Sequence, residues 1–290
     1  MMVQRVRWGV VGLVAAMLIG IDVGGASAAS TGAYVKAAEP VQAGAEKRAG
    51  RRPVLKVSAK EVNEGDRVTL RAIVKSPARA TRVTLQKFRL GIFGDPIWEP
   101  VKAAKTRGRR KVAFKVVATG ENRERYRVTV AYRKVKRVVV SKPIAVTIWR
   151  WIPLSAYSPY YETRGVGFGT PSIDGRVYNG WGAAYYSHLG SWEARFTPGR
   201  HCTSFKAVLG VGDISGDGSS GQIAFTADDT PVYTSPVLTP GMNVSVTVSL
   251  ARPYRFGIQL SDTTPGGTSG GDEVESWPVL GEPAFLCTGV

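Results

Sequence analysis

The chain has 290 residues and a formal net charge of +17, with 43% hydrophobic residues, 34 glycines, two cysteines and two histidines. That composition belongs to a folded chain with room for two ordinary domains. It shows no metal-ligand spacing, nucleophile motif or phosphate loop, so catalysis has little support.

The N-terminus has the pattern of a cleavable secretory signal peptide. Arg5 and Arg7 form a positive start, an apolar run extends from Trp8 to Ile21, and Ala26-x-Ala28 is the small-residue site a signal peptidase reads. The run is about 14 residues, short of the about 20 that cross a bilayer. Residues 1–28 are therefore expected to be removed, and the mature chain to be secreted or associated with the cell wall. No later stretch is apolar enough for a transmembrane helix. Residues 29–52 are rich in Ala and Gly and predict a flexible linker.

From Pro53 the pattern becomes β-type. Arg67 to Val74, Arg82 to Phe88, Lys111 to Val117, Tyr126 to Tyr132 and Lys142 to Ile148 alternate polar with apolar residues. Such alternation, punctuated by turn residues such as Glu64-Gly65-Asp66, predicts half-buried antiparallel strands. About seven strands in this length predict a β-sandwich. Glu64-Gly65-Asp66-Arg67-Val68-Thr69-Leu70, Val83-Thr84-Leu85-Gln86, Trp98 and Tyr126-Arg127-Val128 make residues 53–149 resemble bacterial immunoglobulin-like domains. The resemblance implies a spacer or adhesive unit without catalytic residues.

Charge divides the chain at the end of this module. Residues 1–150 hold 32 Lys and Arg against 10 Asp and Glu, whereas residues 151–290 hold 7 against 12. Two domains with different surfaces are expected. In the basic part, Arg107-Gly-Arg109-Arg110-Lys111 and Arg133-Lys134-Val-Lys136-Arg137 could attract an anionic cell-surface polymer, or could simply be a solvated surface. A dedicated nucleic-acid partner does not fit an exported chain. Between the parts, Trp149 to Thr163 is aromatic and carries Pro153 and Pro159, which predicts a short, packed connection without regular structure.

In residues 150–290, β-type runs are separated by Gly-rich loops. They are Phe205 to Val211, Gln222 to Thr226, Val232-Tyr233, Val244 to Leu250 and Arg255 to Leu260. Asp228-Asp229 marks a turn, and a long polar loop runs from Asp262 to Glu275 before Trp277. No useful helical period occurs, so an all-β jelly roll is predicted. Cys202 and Cys287 are the only cysteines. Export would permit a disulfide between them, the alternative being two buried thiols.

Several ordered blocks resemble the NPCBM family, a "novel putative carbohydrate-binding module" of galactose-binding-like sandwich fold. They are Ile173-Asp174-Gly175-Arg176-Val177-Tyr178-Asn179-Gly180-Trp181-Gly182, Phe205 to Asp213, Ile223 to Asp229, Ser235-Pro236-Val237-Leu238, Phe256 to Asp262, and Asp272 to Trp277. Two places depart from the family pattern. Gly182-Ala183-Ala184 lacks the usual His, and Asp272-Glu273-Val274 stands where Asp-His-Ala is common. The expected architecture is an immunoglobulin-like β-sandwich followed by a galactose-binding-like jelly-roll β-sandwich.

The resemblance implies a non-catalytic module that binds a glycan or cell-wall polysaccharide without a cofactor. Sugar binding needs an aromatic face and a few placed polar groups. Trp181, flanked by glycines and expected to be exposed, Tyr185 and Tyr186 are the candidate aromatics; Asp272, Glu273 and Glu275 are the candidate acceptors. Trp192 and Trp277 are expected in the core. Asp213-x-Ser215-x-Asp217-Gly218 looks like the start of a calcium loop, but Ala224 stands where its closing carboxylate would be, and a metal-free turn is expected. The other reading of the chain is a structural or adhesion protein of the cell surface without a sugar site. A small glycoside hydrolase using paired carboxylates is a third.

Overall fold

The computed structural model describes residues 52–120, 122–184, 190–266 and 275–290. The expected signal peptide and all of the expected linker but Arg52 lie outside the described residues. Among the described residues the elements are strands β1 to β21, with one 3-10 turn at Leu154–Ala156. No helix there is long and apolar enough to cross a membrane.

The alternating segments form the first sandwich. β6 (Lys111–Val117) and β7 (Arg123–Tyr132) bury every second residue, as a strand with one face on a core must. β1 (Val54–Val57), β3 (Arg67–Ile73) and β6 make one sheet in the order β1-β3-β6. The other runs β9-β7-β4-β5, from β9 (Ile144–Pro153) to β4 (Ala80–Leu90) and β5 (Pro96–Lys105). β2 (Glu61–Asn63) pairs in parallel with β9, and β8 (Val139–Val140) pairs with β7. Two sheets so built around one core make a β-sandwich. Leu70, Leu85, Val128 and Ile148 fill its core.

One buried carboxylate lies in this sandwich. Glu124, 3% exposed, accepts from the Lys87 ammonium and the Tyr126 hydroxyl. Burial and the neighbouring Glu124 charge both hold the Tyr126 phenol far above its ordinary pKa.

The second sandwich has two five-stranded layers. One runs β11-β14-β21-β16-β19, over β11 (Val166–Gly169), β14 (Gly180–Ala183), β16 (Cys202–Val211), β19 (Asn243–Ser249) and β21 (Pro278–Cys287). The other runs β10-β15-β20-β17-β18, over β10 (Tyr161–Glu162), β15 (Ser191–Phe196), β17 (Gly221–Ala227), β18 (Thr230–Thr234) and β20 (Phe256–Asp262). Asp228 and Asp229, with φ of 47° and 63°, turn β17 into β18, the left-handed pair a tight hairpin requires. The core centres on Phe205, whose ring lies within 5.1 Å of the Phe225, Phe256 and Phe285 rings. Cys202 and Cys287 are joined as a disulfide across β16 and β21.

The connection between the sandwiches differs from expectation. β9 does not stop near residue 149 but runs on to Pro153, and its last four residues pair with Ala284–Cys287 of β21. One strand thus belongs to both sandwiches. Pro153 ends the strand and leads into the 3-10 turn, with φ of −61° and ψ of 147°, the extended backbone that proline adopts without strain. Beyond it Leu154 and Tyr157 are buried in the second core. The Tyr157 hydroxyl donates to the Cys287 sulfur at 3.2 Å. Burial pushes this phenol up to about 12, against the pull of the nearby Arg150 charge.

Candidate functional site

At the end of β21 remote from β9, the second sandwich holds a cleft of about 360 Å3. Its floor and walls come from β11, the turn into β12 (Ser172–Ile173), the end of β14, residues 212–214, and Trp277 with Val279. Backbone bonds gather these segments. The Gly212 N–H donates to the Trp277 carbonyl at 2.8 Å, and the Trp277 N–H to the Ser215 hydroxyl at 3.0 Å. Gly216 donates to the Glu275 carbonyl at 3.2 Å and Ala184 to that of Gly165 at 2.8 Å. The described flanks of the two loops expected to form a sugar site, Ala184 and Trp277, therefore line one cleft.

Of the aromatic side chains the sequence points to, Trp181 lines this cleft but lies beneath its surface. Trp181 is only 1% exposed, packs edge-on against Phe196, and presents no open ring face. The expectation that flanking glycines leave it exposed is corrected: they are there for close approach to β21. A Cβ on Gly180 would sit 2.4 Å from the Leu280 carbonyl oxygen, and one on Gly182 2.7 Å from the Val279 Cα. Among the described residues the Trp181 indole N–H has no acceptor. Among the described residues of the cleft, the accessible aromatics are Phe168, 48% exposed, and Trp277, half-buried against the core rather than enclosed in it. Trp192 is buried, as expected.

Tyr185, Tyr186, Asp272 and Glu273 lie outside the described residues. Glu275 is exposed.

Asp213, at the rim, is committed to structure. Its carboxylate accepts from the Ser172 hydroxyl and from the N–H groups of Asp174 and Gly175 at 2.8 and 2.9 Å. These donors, the Ser172 hydroxyl foremost, hold its carboxyl below the usual range. They pin the β12–β13 hairpin (β13, Arg176–Val177), whose Asp174 and Gly175 have φ of 51° and 73°. Both Asp213 oxygens are thus engaged in holding this hairpin. Polar groups left for a bound molecule include the Thr170 hydroxyl and the backbone of the Gly-rich β11 edge. Such a wall suits the apolar face of a ring with a few hydroxyl contacts.

No family model and no curated protein matches the chain. Similar solved structures include the CBM51-2 and INT domains of Clostridium perfringens ZmpB, with 12% identity, a TM-score of 0.35, and 56% of this chain covered. This chain spans only 37% of that structure. The CBM51 of Clostridium perfringens GH95, in complex with methyl-galactose, is 16% identical over 47% of this chain and 99% of its own, with a TM-score of 0.36. The secreted serine protease VesC of Vibrio cholerae is 10% identical over 80% of this chain and 50% of its own, with a TM-score of 0.30. With TM-scores this low, the reading of the site rests on its own residues.

Proposed function

We propose that the chain is an exported, non-catalytic carbohydrate-binding protein whose second sandwich holds glycan in the cleft between Phe168 and Trp277. The observation that carries this reading is the cleft itself. It pairs accessible aromatic carbon with backbone and hydroxyl groups at the loop end of a rigid sandwich. The disulfide supports export, since such bonds persist in oxidising compartments. The NPCBM-like blocks support the same class, with Trp277 in place of Trp181 as the stacking ring.

A glycan array and cell-wall pull-down with the full chain test the proposal, alongside Trp277→Ala and Gly169→Leu. A Cβ on Gly169 would meet nothing within 4 Å, and this residue lines the cleft, so a side chain there occupies the cleft without disturbing the fold. Each variant is expected to weaken binding about tenfold or more, the cost of one lost stacking contact or a filled subsite. Binding to no glycan or wall fraction sinks the proposal in favour of a surface structural or adhesion protein. Glycan binding untouched by either variant would put the site elsewhere.

A further inference from the structure

A second cleft, of about 780 Å3, opens on the first sandwich at the end away from β21. Arg52, Arg79, Arg133, Lys134, Lys136 and Arg137 line it, and among the described residues no carboxylate does. The surrounding turns are tied into one surface. The Arg133 N–H donates to the Arg79 carbonyl at 2.9 Å, Val74 to that of Arg110 at 2.8 Å, and Thr106 to that of Thr81 at 3.1 Å. The Thr106 side chain, itself buried, also donates to the Ala80 carbonyl. The turns at residues 74–82, 105–111 and 132–139 therefore converge. Together they hold twelve Lys and Arg and no Asp or Glu.

Such a cluster is unfavourable by itself. Exposed cations within a Debye length, about 10 Å at 0.1 M salt, repel one another. Elsewhere on this sandwich cations find partners, as in the Lys87–Glu124 and Arg89–Glu99 pairs. The three turns contain no acid with which to do the same. A concave surface of one sign focuses the field and concentrates anions, and arginines grip oxyanions by paired N–H groups. The cleft also indicates what kind of anion. Its only aromatic residue, Tyr132, is 8% exposed with its hydroxyl donated to the Lys75 carbonyl, and the remaining apolar wall is valine. It offers no aromatic platform on which a nucleobase could stack.

We propose that this cleft binds a linear polyanion without bases, its oxyanions repeating along a flexible backbone. A phosphate-linked chain and a polyuronate share that chemistry. The site is independent of the glycan cleft.

The test measures binding of the full chain to labelled inorganic polyphosphate, to polygalacturonate and to an oligothymidylate of equal charge, across a salt series. Arg133→Glu/Lys136→Glu/Arg137→Glu reverses three exposed cations at the cleft. Lys56→Glu/Lys60→Glu/Arg67→Glu makes the same change of net charge at exposed positions elsewhere on the sandwich. The cleft variant is expected to bind about tenfold more weakly and to lower the slope of log affinity against log salt by about 2, while the control changes affinity about threefold or less. Preference for polyphosphate or for polygalacturonate identifies the source of the oxyanion. Equal losses in the two variants, no binding to either base-free polymer at low salt, or tighter binding of the oligothymidylate would overturn the proposal. Thermal unfolding checks that both variants fold. If the glutamate triple does not, the alanine triple at the same positions is read with the same criteria.

Discussion

Replacing both cysteines with alanine is the perturbation whose size the structure defines best. Cys202 opens β16 and Cys287 closes β21, opposite one another in the ladder with Cα atoms 4.0 Å apart. The bridge therefore closes a loop spanning 85 residues of sequence. In the chain-entropy model that loop stabilises the fold by about 4.5 kcal/mol. Loss of the Tyr157 hydroxyl contact to sulfur adds about 0.5–1 kcal/mol. Domains are stable by only about 5–15 kcal/mol, so the double variant should be folded but marginal. Urea unfolding followed by tryptophan fluorescence measures the change. With m roughly 2 kcal/mol/M, the midpoint should fall by about 2.5 M at unchanged m. A loss below about 1 kcal/mol would refute the reasoning, because it would mean that the paired strands alone restrict the unfolded ensemble as much as the bond does.

Glu124→Ala leaves the buried Tyr126 hydroxyl without its acceptor and should destabilise by about 1–3 kcal/mol in the same assay, with Glu124→Gln milder, since the partly exposed Lys87 can turn its ammonium to water. Alkaline pH should unfold the chain through its buried phenols. Tyr157 ionises near 12 when folded but near 10 when unfolded, so its contribution is complete below pH 10 and is lost as pH rises from 10 to 12. Tyr126 acts in the same direction. Thermal melts of Tyr157→Phe across pH 9–12 should show a shallower decline than wild type. Gly182→Ala places a methyl group 2.7 Å from backbone and should cost about 1–3 kcal/mol in melting experiments.

Many strands of both sandwiches were legible in the sequence because one-sided burial writes a period of two, as in Lys111–Val117; β14, β15 and β21 were not read from it. The cysteine pair was legible because there was no other partner to consider. The continuation of β9 past Ile148 was not, since Trp149-Arg150-Trp151-Ile152 carries aromatic residues and leads into Pro153, which reads as a connection. Lys206 lies over the Trp151 ring and Arg252 over that of Trp149, so cations of the second sandwich cover aromatics that the sequence alone assigns to a linker. Trp181 misled for a related reason. A glycine beside an aromatic residue reads the same whether it opens the chain to solvent or lets another strand close on it. Only the approach of Leu280 and Val279 tells the two apart. The basic runs were visible singly, but their convergence with Arg79 depends on strands paired across fifty residues.

The shared strand bears on how the two proposed sites would work together. Consecutive domains joined by a linker ordinarily move relative to one another. Here β9 pairs with β7 from Ile144 to Thr147, with β2 from Thr147 to Trp149 and with β21 from Arg150 to Pro153, so bending at the junction breaks the β2 ladder. Along the paired strands, Tyr132 at the basic cleft lies six residues before the junction-side register, and Val279 at the second cleft five residues beyond Ala284. With about 3.3 Å per residue, that path amounts to roughly 60 Å. A path so long and so stiff keeps either ligand outside the screened field of the other. Occupancy of one cleft then leaves the affinity of the other unchanged, and two polymers held at the two ends would be kept at a fixed spacing rather than drawn together.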